Sequence, residues 1–355
     1  MILIKKVCFL IIFFIFLCIL FHLFEKRYLI SNGNSIENYT GMDEMKKIKL
    51  STSGYSIPSG KDFDLPLKEY CIKSSYNTAL SGNYVSTDMI KDVLSRGCRF
   101  LDFEIFYINN YPCVAYSKDP TFVTITSKNF ISLNEVLKTI IVNGFSGPSP
   151  NANDPLFIHF RIKSQNSEIY NKIGMSVNNY LSNRLYDGKI NGSTQLNLLI
   201  GHIILIIDIE LSSDYNKIDY YPHCSIESST LSKKDCFNLS KYSNIESGTK
   251  DLRIYDYDNL NDQSITPPVL INQESDETDI SLFRIVIPNN KNSNENNPLS
   301  RNFIENYGVQ FVTNCFYKND KNFIEYEKFF FDNKSAFVPF ASALRYYNKL
   351  DLESI

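Results

Sequence analysis

Short apolar strands alternate with amphipathic helices from Leu65 to Tyr346, and one strand, "GHIILIIDIE", is apolar almost throughout. Together these predict an α/β fold with a parallel sheet buried on both faces. A domain of roughly 280 residues suits an eight-stranded β/α barrel of the TIM type. One N-terminal transmembrane helix is expected to precede it.

That first element is "VCFLIIFFIFLCILFHLF", residues 7–24, which carries no acid, Lys or Arg and is flanked by Lys5-Lys6 and Glu25-Lys26-Arg27. A helix of this length rises about 27 Å, close to the hydrocarbon thickness of a bilayer. Bulky residues run straight into charges with no small-residue cleavage site, so residues 1–27 read as a retained signal anchor and the chain as a single-pass membrane protein. Basic residues at both ends leave its orientation open. Residues 28–64, rich in Ser, Asn, Gly and Lys, read as a polar tether.

The barrel then spans 65–346, as a first half over 65–210, a loose stretch over 211–281 and a closing part over 282–346. "YCIKSS" reads as a strand. "STDMIKDVLSRG" reads as a helix with Ser86 or Thr87 at its N-cap, one apolar face and Gly97 at its end. "RFLDFEIF" is the second strand. "SLNEVLKTIIVNG" opens with Ser132 three residues before Glu135, a capping-box spacing, and Gly144 stops it. "PLFIHFRI", residues 155–162, is the third strand, with a helix to about residue 184 after it, and 201–210 is the fourth. In the loose stretch "LRIYDYD" is one candidate strand, so the strand count cannot be followed there. "LFRIVIP" and "YGVQFVTNCF" restore regular structure.

The chain has 355 residues, 43% hydrophobic and 21% charged, with net charge −3, which argues against a nucleic-acid partner. Its eight cysteines show no CxxC and no Cys/His pairing, so zinc is not expected; a Cys224–Cys236 disulfide is open if the domain lies in an oxidising compartment. Sequons begin at Asn38, Asn191, Asn238 and Asn333, a number without weight in so Asn- and Ser-rich a chain.

Several stretches taken in order carry a resemblance. "IKSSYNTALSGNY", "VLSRGCRFLDFEIF", "YPCVAYS" and "DPLFIHFRIKS" resemble the X region of phosphoinositide-specific phospholipases C, within the phospholipase-C-like phosphodiesterases. "IVIPNN…YGVQFVTNCFYKND…SAFVPFASALRY" resembles the end of their Y region. The wording "SSYN", "LDFEI" and "HFRIKS" is also similar to that of membrane-anchored phospholipase-C-like proteins of large DNA viruses and protists.

In that family one histidine works with calcium on the inositol 2-hydroxyl, which attacks phosphorus, and a second protonates the leaving diacylglycerol. An Asn and three carboxylates hold the calcium. The resemblance places Tyr76 and Tyr116 at the two histidine positions and Asn77, Asp102 and Glu104 at ligand positions. The remaining carboxylate position is Arg161. The family's lysines on the fourth strand fall near Ile206 and Asp208. A tyrosine, with a free pKa near 10, is a poor base at neutral pH, and a fixed cation among calcium ligands opposes the ion. The family calcium site is therefore expected to be lost, with no cofactor.

Asp102, Glu104, Arg161, Lys163 and His159 then have two readings: a ligand site for a phosphoinositide-like headgroup or phosphate, or a buried ion-pair network that plugs the barrel mouth. Tyr76 and Tyr116 either belong to that site or fill the space two histidines left. Three functions follow: a membrane-anchored, catalytically inactive barrel that binds a phosphorylated headgroup or anion; an active phosphoric diester hydrolase with a relocated, calcium-independent mechanism; or a structural or interaction protein.

Overall fold

The computed structural model describes Phe13, Leu17 and residues 64–221, 224, 237–261, 283–288 and 296–353. Apart from Phe13, Leu17 and residue 64, the expected anchor and tether lie outside the described residues, as do His223 and Cys236. Among the described residues no helix is long and apolar enough to cross a membrane.

Among the described residues, eight parallel strands follow one another around the barrel in chain order: β1 (Ser74–Ser75), β2 (Phe100–Ile108), β3 (Leu156–Ile162), β4 (Ile203–Asp208), β5 (Ile245–Ser247), β6 (Arg253–Asp256), β7 (Arg284–Ile287) and β8 (Phe311–Asn314). β8 pairs back onto β1, while β5 and β6 form no ladder, so the barrel is nearly closed. The gap is spanned by a tight turn in which Gly248, at φ +81°, donates its N–H to Leu252. Among the described residues, the helices packed around the sheet are α1 (Thr87–Ser95), α2 (Leu133–Gly144), α3 (Glu168–Leu181), α4 (Tyr257–Asn261), α5 (Ser300–Tyr307), α6 (Lys321–Asp332) and α7 (Phe340–Glu353).

Four expectations change in detail. "YCIKSS" is two elements: Tyr70–Ile72 pairs antiparallel with Phe337–Pro339, and only Ser74–Ser75 joins the barrel. The antiparallel pair covers the barrel's N-terminal end, where the Phe337 ring approaches Phe157. Ser132 does cap α2, but its hydroxyl accepts from Asn134 and not from Glu135, so the capping-box geometry is not formed. Gly144 ends α2 without a left-handed φ; a Cβ there would lie 3.3 Å from Leu156, so the residue serves close packing. The loose stretch supplies β5 and β6, and β5 escapes sequence reading because "IES" is too short to show a period.

Strand periodicity divides the barrel interior into layers. Phe100, Phe157 and Phe311 pack ring on ring at the N-terminal end, with centroids 4.5–5.4 Å apart. Two residues further along the same faces stand Asp102, His159 and Ile206, in register across β2, β3 and β4. Two further on come Glu104, Arg161 and Asp208. The interior thus passes from hydrocarbon to charge towards the strands' C-terminal ends, the end on which β/α barrels build their sites.

Candidate active-centre positions at the barrel mouth

Asn77 lies just after β1 in the left-handed region, at φ 41°, a conformation asparagine tolerates better than most residues. The turn aims its backbone N–H at Asp102 Oδ2 (2.9 Å) and its side-chain amide at Glu104 Oε1 (3.3 Å). β2 continues past Glu104 into a hairpin whose turn residues, Asn109 and Asn110, both have positive φ, as a two-residue hairpin loop of the I′ kind requires. That hairpin folds Tyr116 and Ser117 back over Glu104, whose Oε2 accepts from the Ser117 N–H at 2.9 Å.

Arg161 joins all of these. Its Nε and one Nη donate to the two oxygens of Asp102 at 2.9 and 2.6 Å, a bidentate pair; its other Nη donates to Glu104 at 3.0 Å. The Nη bound to Asp102 also reaches Asn77 Oδ1 at 2.8 Å. Lys163 completes the set, with Nζ 3.0 Å from Glu104 Oε1 and donating to the Ser117 carbonyl at 3.3 Å. Asp102 and Glu104 are 0% exposed, and Arg161 and Lys163 are 1% exposed. Two buried cations thus balance two buried anions, the condition under which such charges are tolerated away from water.

Tyr76 and Tyr116, at the expected histidine positions, are buried as well. The Arg161 guanidinium lies over the Tyr76 ring, 4.7 Å from its centroid, a cation–π contact. Burial drives the Tyr76 phenol well above its ordinary pKa, and the nearby Arg161 does not offset it. A phenol held neutral in this way is no general base. For Asp102, burial works upward, but Arg161 and the His159 bond overcome it and hold the carboxyl well below the usual carboxylate range. Burial and the neighbouring Arg161 lower Lys163 against the pull of Glu104. Burial raises Asp208, at the end of β4.

Below the top layer a second chain of contacts crosses the barrel. His159 Nδ1 lies 2.9 Å from Asp102 Oδ1, and His159 Nε2 lies 2.8 Å from Ser247 Oγ on β5. Sequence reasoning did not find Ser247, because it depends on β5. Inward parity on β4 is the signal that places Asp208 in the top layer beside Arg161.

The expected residues Tyr76, Asn77, Asp102, Glu104, His159, Arg161 and Lys163 therefore meet in one cluster, and Tyr116 lies at its edge. The cluster does not fit calcium. The ion needs six to eight oxygens, yet the Asn77, Asp102 and Glu104 oxygens are taken up by Arg161 and Lys163. The guanidinium itself stands among the oxygens that would be the donors.

Residues 63–206 match the family model of the phosphatidylinositol-specific phospholipase C X domain. No curated protein matches the chain. Among solved structures the chain is similar to PLC21 of L. pealei and PLC21 of S. officinalis, each with TM-score 0.60 and 16% identity over 81% of this chain. It covers only 39% and 38% of those two proteins. A calcium-dependent phosphoinositol-specific phospholipase C from a Gram-negative Pseudomonas aligns at TM-score 0.42 and 10% identity, over 75% of this chain and 95% of its own. The barrel thus has the phospholipase-C-like phosphodiesterase fold, and its first half carries the X-domain sequence match.

Proposed function

We propose that the chain is a membrane-anchored, phospholipase-C-like barrel that does not cleave phosphodiesters, its active-centre positions being held by a closed ion-pair network. The observation that carries this reading is Arg161, bonded at once to Asp102, Glu104 and Asn77 where the family holds its metal. Loss of one general acid or base typically costs 10²–10⁴ in rate, and here both histidine positions hold buried tyrosines. A phosphoinositide-like headgroup or free phosphate at this mouth would have to displace a buried carboxylate from Arg161 or Lys163, which favours a scaffolding or interaction role over anion binding. Kinship with the membrane-anchored proteins of large DNA viruses and protists belongs to the same proposal.

One observation favours a second reading, turnover by a relocated mechanism: the Asp102–His159–Ser247 chain is an arrangement in which an imidazole can take a proton from a hydroxyl. Its three members are wholly buried, which supports the first reading. The test is an assay of the detergent-solubilised full chain against phosphatidylinositol and a simple aryl phosphodiester, with calcium and with chelator. No turnover above buffer is expected. Calcium-dependent turnover contradicts the proposal, and calcium-independent turnover abolished by Ser247→Ala establishes the second reading.

A further inference from the structure

Three N-x-S/T sequons begin at described residues, Asn191, Asn238 and Asn333, and the fold treats them differently. Asn238 is 8% exposed and caps the short turn Leu239–Lys241, its Oδ1 accepting from the N–H and hydroxyl of Ser240 at 2.9 and 2.7 Å. A glycan on that side chain would have no way out. Asn333 is half-buried at the C-terminal end of α6, and its side-chain nitrogen, the atom that would carry the sugar, donates to the Phe329 carbonyl at 2.8 Å.

Asn191 is exposed on the loop between α3 and β4. Hydrogen bonds from the N–H groups of Leu67 and Lys68 to the Thr194 and Gly192 carbonyls pin that loop's backbone. Its Oδ1 accepts from the Ser193 N–H at 2.9 Å, while its side-chain nitrogen donates to no group among the described residues. The hydroxyl-bearing residue of the sequon, Ser193, is exposed beside it.

A second, independent observation bears on the compartment. Cys224 is disulfide-bonded, whereas Cys71, Cys98, Cys113 and Cys315 are free and buried. Disulfides persist in oxidising compartments, and lumenal spaces of that kind are where asparagine glycans are attached.

We infer that Asn191 is an N-glycan acceptor and that the barrel faces the oxidising side of its membrane. The inference rests on the membrane-anchor reading only for delivery of the chain. In the transfer, Asn191 Nδ2 forms a bond to C1 of an oligosaccharide carried on a polyisoprenyl pyrophosphate. The C1–O bond to that pyrophosphate breaks, the pyrophosphate leaves on its lipid, and one amide proton passes to a base of the transferase.

The test uses the full chain expressed in eukaryotic cells and resolved by gel mobility before and after peptide-N-glycosidase. Asn191→Gln should lose one glycosidase-sensitive step, and so should Ser193→Ala, which keeps the asparagine. Asn238→Gln and Asn333→Gln should keep the full pattern. Wild-type mobility in Asn191→Gln, or a native chain without any glycosidase-sensitive step, would overturn the inference. Carbonate extraction reads the anchor separately: a chain that is extracted yet glycosylated at Asn191 contradicts the anchor and leaves this inference standing.

Discussion

At the scale of single residues, Arg161 links most of the mouth together. Removing one partner of a buried pair strands the other's charge, at a cost of about 3–5 kcal/mol. Arg161→Ala should therefore destabilise the domain by roughly that amount in a denaturant melt, whereas an arginine kept only for a ligand would cost little. Asp102 sets an acid limit. Its folded-state pKa lies below the roughly 3.9 of an unfolded aspartate, so its stabilisation is complete above that value and lost as the pH falls below it. Thermal melts from pH 6 downward should show a steep loss below about pH 4, and Asp102→Asn should flatten it while lowering stability at neutral pH. Much of this cluster was legible in the sequence: strand parity puts Asp102 with Glu104 and His159 with Arg161, and the resemblance to the X region is what added Tyr76, Asn77 and Tyr116 and set the strands around one mouth. What the sequence left open was the choice between ligand site and plug. That depends on distances between side chains from different strands, and on Ser117, which a hairpin brings over Glu104.

At the scale of elements, the strands β2, β3 and β4 and the helices α1, α2 and α3 announced themselves, whereas the two- and three-residue strands and the helices α5, α6 and α7 did not, although Asp320 caps α6. β2, β3 and β4 have enough residues to show burial and parity, and of the two expected caps of α1 it is Ser86, not Thr87, that accepts from the Met89 N–H. β1 and β5 hold two and three residues, and tertiary pairing alone defines them. Gly174 is another feature invisible from within its helix: a Cβ on it would sit 2.0 Å from the Phe237 carbonyl oxygen. Alanine normally improves a helix interior by up to about 1 kcal/mol over glycine. Here Gly174→Ala should instead destabilise by about 1–3 kcal/mol, the range for overpacking. Equilibrium unfolding gives the sign.

At the scale of the whole molecule, the described barrel core begins near Leu67, so a chain lacking residues 1–27 should be soluble and folded. Retention of that truncation in the membrane fraction after carbonate washing contradicts a single N-terminal anchor. In the proposed reading, the buried ion pairs of Arg161 and Lys163 occupy the position at which the family's calcium would sit. Two unit charges 4 Å apart interact by about 4 kcal/mol at an effective dielectric of 20, and a divalent ion facing Arg161 meets twice that. Calorimetric titration of calcium into the detergent-solubilised full chain tests the claim most directly. No binding below millimolar calcium is the predicted result, and a micromolar site abolished by Asp102→Asn would contradict it.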